Sequence, residues 1–249
     1  MSDMEWLTGE KTIIVPLAGA VSEFASKDAL LLVCDQNTQI WGDARNGIMT
    51  GSNASNIVSP SGKIREGQAV NGFAYKLAME RIYGPDLGAY VSKDFERGHA
   101  LEPESRRAWE KKHDTHVEQV GFVYGNASKQ YGCSPDGLFV HDKGLGVWET
   151  KSRERNAMCA IMAKEKEYKM PKDHYVNLQF NMWVCGANVG VYAEYYSSGV
   201  LPLMVEQLLD VDERLFSVFK EAVDSFCLKI TDNEAGIRSR SVNSKLDII

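Results

Sequence analysis

Two acids and a lysine, set in Ser134-Pro135-Asp136-Gly137 and Glu149-Thr150-Lys151, are the groups of this chain best spaced to do chemistry. Alternation along a strand puts Glu149 and Lys151 on one face. If the strand that opens at Asp136 pairs antiparallel with the one carrying Glu149, all three side chains project toward a common point. Two carboxylates there repel, and a divalent cation removes that cost. Oxygen donors without His or Cys favour Mg²⁺, with Mn²⁺ as a substitute, over Zn²⁺. Such a cation polarises a phosphoryl oxygen and lowers the pKa of a bound water, while a neighbouring lysine orients that water and offsets charge on phosphorus. This chemistry is metal-assisted phosphodiester hydrolysis. The alternative is a solvated hairpin with three routine charges, and both readings stand on this stretch alone.

The elements that must bring these groups together are visible in outline. KTIIVPLAG and DALLLVCD, between residues 12 and 34, are short strands or a strand and a helix. Thr50 to Val58 is rich in small capping residues and opens a short helix. Val70, Phe73, Ala74, Leu77, Ala78 and Ile82 recur at helical spacing up to Gly84-Pro85, and a second helix is expected from Asp94 to Lys112. VEQVGFVYG, YGCSPDGLFV and LGVWETKS read as a three-strand meander whose last turn is HDKG. Residues 154–168 and Lys172 to Val184 read as helices, VGVYAEYYS and LPLMVEQLLDV as strands, and Asp212 to Ile230 as a last amphipathic helix. The expected fold class is α/β, a mixed central sheet flanked by helices. The expected division is an N-terminal extension over 1–40, a main domain over 41–230 and a loose polar tail over 231–249.

Composition excludes several classes. The chain has 249 residues, 44% of them hydrophobic and 25% charged, with a net charge of −6. It has ordinary globular proportions and no apolar run long enough to span a membrane. Five scattered cysteines without a CxxC pair argue against a disulfide framework or structural zinc. With no signal pattern at Met1 to Lys11, a reducing cytoplasm is expected. The acidic balance points away from a non-specific DNA binder, although acids gathered to hold metal also lower net charge.

Four segments, taken in order, resemble the phage lambda-type exonuclease or YqaJ-type viral recombinase family of PD-(D/E)xK nucleases. Trp41-x-x-x-Arg45-Asn-Gly-Ile-Met-Thr50-Gly-Ser52 is similar to the family segment that holds a terminal 5′-phosphate. Arg97-Gly-His-Ala-Leu-Glu102-Pro-Glu-Ser-Arg106 is similar to the helix with an additional active-site glutamate. Cys133-Ser134-Pro-Asp136-Gly and Glu149-Thr-Lys151 match the signature itself. Tyr175-Val-Asn177-Leu-Gln179-Phe-Asn-Met-Trp183 is similar to the family's QxQ helix, with Asn177 in place of its usual active-site glutamine.

The resemblance spans about residues 40 to 229. It implies a restriction-endonuclease-like core. It also implies an enzyme that degrades one strand of duplex DNA from a 5′ end and leaves a 3′ overhang for a single-strand annealing protein. Asp136, Glu149 and Glu102 would be metal ligands, Glu102 directly or through water, and Lys151 would act on water. Asn177 or Gln179 would face the site, though two positions on a helix lie about 200° apart. Arg45, Ser52 and Ser134 would hold the 5′-phosphate. Taken singly, Arg45 reads as a surface arginine, Ser134 as a turn residue and Glu102 as a solvated glutamate. The implied partners are double-stranded DNA ends, further copies in a ring (a trimer favoured) and an annealing protein, with no membrane. The implied location is the host cytoplasm if the chain is phage-encoded. Two alternatives are an endonuclease of the same superfamily, restriction or junction-resolving, and a catalytically silent DNA-end-binding recombination protein.

Overall fold

The computed structural model describes residues 13–16, 28–85, 93–164 and 167–240. Its strands are β1 (Ile13–Pro16), β2 (Leu30–Val33), β3 (Met49–Thr50), β4 (Val117–Glu118), β5 (Phe122–Tyr124), β6 (Tyr131–Cys133), β7 (Gly137–His141), β8 (Gly144–Ser152), β9 (Val189–Tyr196) and β10 (Leu203–Asp210). Its helices are α1 (Gln39–Arg45), α2 (Gln68–Tyr83), α3 (Lys93–His113), α4 (Arg155–Lys164), α5 (Lys172–Cys185) and α6 (Glu213–Arg240), with a 3₁₀ turn at Gly51–Asn56. Among the described residues the strands form two five-stranded mixed sheets, ordered β1-β2-β5-β6-β3 and β10-β9-β8-β7-β4. The second is the expected mixed sheet with helices on its faces.

Two stretches expected as single strands are each shared between the sheets. β4 and β7 pair antiparallel in one sheet, and β5 and β6 pair antiparallel in the other. The register is the same on both sides: Val117 faces Phe139 and Val123 faces Cys133. This is one antiparallel ribbon that changes sheets midway, at residues 119–121 and 134–136. Pro135 has no N–H to continue a ladder, so the break falls there. Side chains satisfy the freed backbone groups. Gln36 Nε2 donates to the carbonyls of Val120 (2.8 Å) and Pro135 (2.9 Å), and Ser134 Oγ donates to Gly121 O (2.7 Å).

β7 and β8 form the expected hairpin, with Gly137 opposite Trp148 and His141 opposite Gly144 across a two-residue turn, Asp142-Lys143. β8 then pairs parallel with β9, reached through α4 and α5. Alternation sorts β8 cleanly. Leu145 and Val147 pack into the main core under α5, while Trp148 packs on Trp109 and Phe139 on the α3 side. Glu149 and Lys151 therefore share the α5 side.

α2 buries Val70, Ala74, Leu77 and Ala78 and stops at Gly84, whose φ of 82° suits glycine. Phe73 stacks on Phe226 of α6 at 5.1 Å. α6 corrects the expected loose tail. It continues past Ile230 to Arg240, because Ile237 extends the apolar stripe one heptad and Arg81 of α2 reaches Glu234 at 3.8 Å. Residues 241–249 lie outside the described part, as does most of the 1–40 segment. The boundary placed at residue 41 falls inside α1, and β2 before it pairs with β5. Among the described residues no helix is long and apolar enough to cross a membrane.

A buried hydroxyl pair ties α3 to β8: Ser105 Oγ lies 2.8 Å from Thr150 Oγ1, which also donates to Ala193 O at 3.3 Å. Thr150→Val strands the Ser105 hydroxyl and should cost about 1–3 kcal/mol in urea titration. The double variant Ser105→Ala/Thr150→Val should recover part of that loss. A double variant no more stable than the single would refute the coupling.

Candidate active site

The break in the ribbon leaves Asp136 at the seam, just before β7. Its Oδ2 accepts the backbone N–H of Thr150 at 2.7 Å, which locks the start of β7 to the Glu149-Thr150-Lys151 segment. Lys151 Nζ lies 2.6 Å from Glu149 Oε1, with the Glu149 side chain only 17% exposed. Glu149 Oε2 accepts from Asn181 Nδ2 of α5 at 3.3 Å. The hairpin thus assembles Asp136, Glu149 and Lys151 as the sequence spacing implied.

Two adjoining cavities, about 200 Å³ and 510 Å³, share Arg45, Ser52, Ser134, Glu149, Lys151 and His174 in their walls. Asp136 and Glu102 line the larger one. Arg45, at the last position of α1, lies over the Trp41 ring at 4.1 Å, and among the described residues it has no ion-pair partner. Burial lowers its pKa, partly offset by Glu149. An unpaired, half-buried guanidinium beside open space is suited to an anion. Trp41 is held in turn, its indole N–H donating to Ser134 Oγ at 2.7 Å. Ser134 therefore lines the cavity, but its own proton goes to Gly121 O. Ser52 lies at the 3₁₀ turn, 3.2 Å from the Thr50 hydroxyl.

α5 decides between the two amides of its polar pattern. Asn177 faces the smaller cavity, but both ends of its amide hold the 3₁₀ turn: Oδ1 accepts from Ser55 N at 2.9 Å and Nδ2 donates to Ser52 O at 3.0 Å. Gln179 points away. It is fully buried, donates to Asp210 O at 2.8 Å and accepts from Asp212 N at 2.9 Å, joining the end of β10 to the start of α6. The expected active-site role of Gln179 is corrected accordingly. His174 and Asn181 line the cavity instead and were missed. The signal was available, since 174, 177 and 181 are spaced three and four apart on one helical face. The 3₁₀ turn can approach that face because residue 51 is glycine; a Cβ there would fall 1.8 Å from Asn181 Oδ1.

The acids lie close enough to repel one another, with Lys151 offsetting part of their charge. Burial, then Glu149, pushes the Asp136 carboxyl well above the usual range, and Glu102 raises it further. Burial also raises Glu102, against the pull of Arg106. Burial would lower Lys151, but Glu149 and Asp136 outweigh it and leave the ammonium favoured. Beside the His99 and His174 rings, the acids lining the larger cavity are Glu102, Asp136 and Glu149, and a hard divalent cation fits the Asp136–Glu149 pair by relieving its repulsion. Asp136 and Glu149 could hold it. Among the described residues no three acid, His or Cys side chains converge as a ready ligand set, so Glu102 stands as an outer acid across the larger cavity.

Residues 40–188 match the profile of a family described as the YqaJ-like viral recombinase domain. Among solved structures, the chain is similar to an alkaline exonuclease (LHK-Exo) from Laribacter hongkongensis, at 20% identity and TM-score 0.67, covering 84% of this chain and 100% of that one. The same enzyme in complex with dAMP matches at 21% identity, TM-score 0.67 and the same coverage. A phage related exonuclease from Haemophilus somnus 129PT matches at 13% identity and TM-score 0.59, covering 80% of this chain and 99% of that one. No curated protein matches. At these identities the likeness shows the fold alone, a mixed α/β core flanked by helices as expected from the sequence.

Folding raises the Asp136 pKa, so its contribution to stability is full below the ordinary carboxylate range and is lost as pH rises through the raised value. Metal-free Asp136→Asn should melt above wild type at pH 8, with the advantage vanishing at acid pH. A variant that melts lower at pH 8 would contradict the charge-repulsion account.

Proposed function

From a chain that belongs to the YqaJ-like viral recombinase domain family, we propose a Mg²⁺-dependent exonuclease that degrades one strand of double-stranded DNA from the 5′ end. The observation that carries this reading is a shared cavity wall: the acid-acid-lysine cluster and the unpaired Arg45 open onto the same space. One part suits phosphodiester hydrolysis, and the other suits a terminal phosphate one step along the strand. The likeness to two proteins named as exonucleases supports the choice.

In this reading Asp136 and Glu149 hold Mg²⁺, or Mn²⁺ in its place, with Glu102 as the outer acid. The cation when bound supplies Lewis acidity at the phosphoryl group. Lys151, tied to Glu149, orients the attacking water and offsets charge on the phosphoryl oxygens. Arg45 grips the 5′-phosphate through its planar fork, with the Trp41 ring at its back. Asn177 acts by clamping the turn that carries Ser52. Ser134 serves mainly by fixing Trp41, and can join the phosphate only by giving up its bond to Gly121.

The 3′ overhang so produced would feed a single-strand annealing protein in the host cytoplasm. A ring of copies, a trimer by family resemblance, would keep the enzyme on an acidic chain's otherwise weakly attracted DNA.

The test is digestion of linear duplex labelled at one 5′ or 3′ end, with and without Mg²⁺, beside closed circular DNA. Metal-dependent loss from the 5′ end with circles intact is expected; cut circles would favour an endonuclease. Glu149→Gln should abolish digestion while leaving the fold unchanged, and digestion at the wild-type rate would remove the assignment. Arg45→Ala should slow 5′-phosphorylated duplex by roughly ten- to hundredfold, the scale of a lost charged hydrogen bond. Equal rates for Arg45→Ala and wild type on that substrate would refute the end-gripping role.

A further inference from the structure

His174 lines both cavities and has no part in the mechanism above. Its Nδ1 lies 2.6 Å from the Tyr192 hydroxyl, at one end of a buried run of hydrogen bonds. At the other end is Glu194, fully buried on β9. Glu194 already receives the Tyr168 hydroxyl and two N–H groups of Arg153. Arg153 also donates to the Tyr192 oxygen at 3.2 Å.

Tyr192 has one proton to place. Glu194 Oε1 is 3.1 Å away and is already engaged by Tyr168 and Arg153, whereas His174 Nδ1 is at 2.6 Å and has no competing donor among the described residues. Assigned by distance and crowding, the proton belongs on the contact to His174. Nδ1 is then an acceptor, and the ring carries its own proton on Nε2. Burial, followed by the nearby Lys151 and Arg153, lowers the pKa of His174 and keeps the ring neutral.

We infer that His174 presents a fixed Nε2–H donor to a non-bridging phosphate oxygen of the DNA strand, and that Tyr192 is the positioning residue that sets its tautomer. The inference rests on the phosphodiester reading of the cavity. A neutral donor adds a hydrogen bond without adding a third cation beside Arg45 and Lys151. The opposite tautomer would turn a bare nitrogen lone pair toward the phosphate and repel it. Tyr192 and Glu194 are buried, with Arg153 bridging them, so the tautomer is held before substrate arrives.

Two measurements on the full chain test this. Long-range ¹⁵N–¹H correlation spectra of the imidazoles, with His174 assigned by its loss in His174→Gln, should show the Nε2–H form in wild type and a mixture in Tyr192→Phe. An Nδ1–H form in wild type, or an unchanged Tyr192→Phe spectrum, overturns the inference. On 5′-phosphorylated duplex with Mg²⁺, His174→Leu should lower kcat/KM by roughly ten- to hundredfold, as for a lost hydrogen bond to a charged group. His174→Gln, which keeps an N–H donor, should recover most of that loss, and Tyr192→Phe should fall between. If wild type digests, Glu149→Gln does not, and His174→Leu matches wild type, this inference alone fails. If wild type does not digest at all, the reading beneath it fails as well.

Discussion

Pro135 has no N–H to give to a ladder, and the ribbon built from β4–β5 and β6–β7 changes sheets where it stands. Much of the site depends on that one missing donor. The seam frees the backbone on both sides, and Gln36 and Ser134 take up the exposed carbonyls. Asp136 follows at once, with its carboxylate on the backbone N–H of Thr150. Ser134 precedes it and carries the indole of Trp41, which supports Arg45. The acid cluster and the arginine are therefore anchored to opposite ends of a single Ser-Pro-Asp step. A change in the bend would move both together, and their spacing would survive.

Holding several like charges half out of water is costly, and neighbouring packing supplies the support. α5 lies close over β8 and β9; a Cβ on Gly190 would come within 2.7 Å of Met182 Sδ. The same closeness brings Asn181 to Glu149 and the 3₁₀ turn to Asn177. Beside them the buried Glu194 is compensated by Arg153 and Tyr168, which a buried charge requires. A fully paired network thus borders one in which a single lysine faces several acids. That contrast separates a structural charge cluster from one shaped to accept a ligand.

Periodicity made α2, α5 and the β7–β8 hairpin legible, because each repeats one pattern over many residues. It could not show the seam. Both halves of the ribbon are strand-like, and a sheet change leaves alternation intact while redirecting the chain. Composition misled at the C-terminus, where polar residues from Thr231 hide the single Ile237 that keeps α6 on the core. Asp136, Glu149 and Lys151 were readable because strand geometry is local. The choice between Asn177 and Gln179 stayed open because resemblance ranked residues by type, whereas the phase of the whole helical face ranks them by direction. The latter points to His174, Asn177 and Asn181. The tautomer of His174 was beyond reach, since it depends on how Tyr192 and Glu194 of the following strand, β9, pack beside α5.

The turn at Asp142-Lys143 stands at the far end of the hairpin from the chemistry, exposed to solvent. Its identity matters little and its length matters greatly. A strand has a side-chain period of two, so one added residue that slipped β8 by a single step would carry Trp148 into the cavity and turn Glu149 and Lys151 toward Trp109. The parallel pairing with β9 resists such a slip but would have to be rebuilt with it. At this two-residue turn, drift by substitution is cheap and drift by insertion is not. The ruler that sets which way Glu149 and Lys151 face is two residues long and lies at the other end of the hairpin from them.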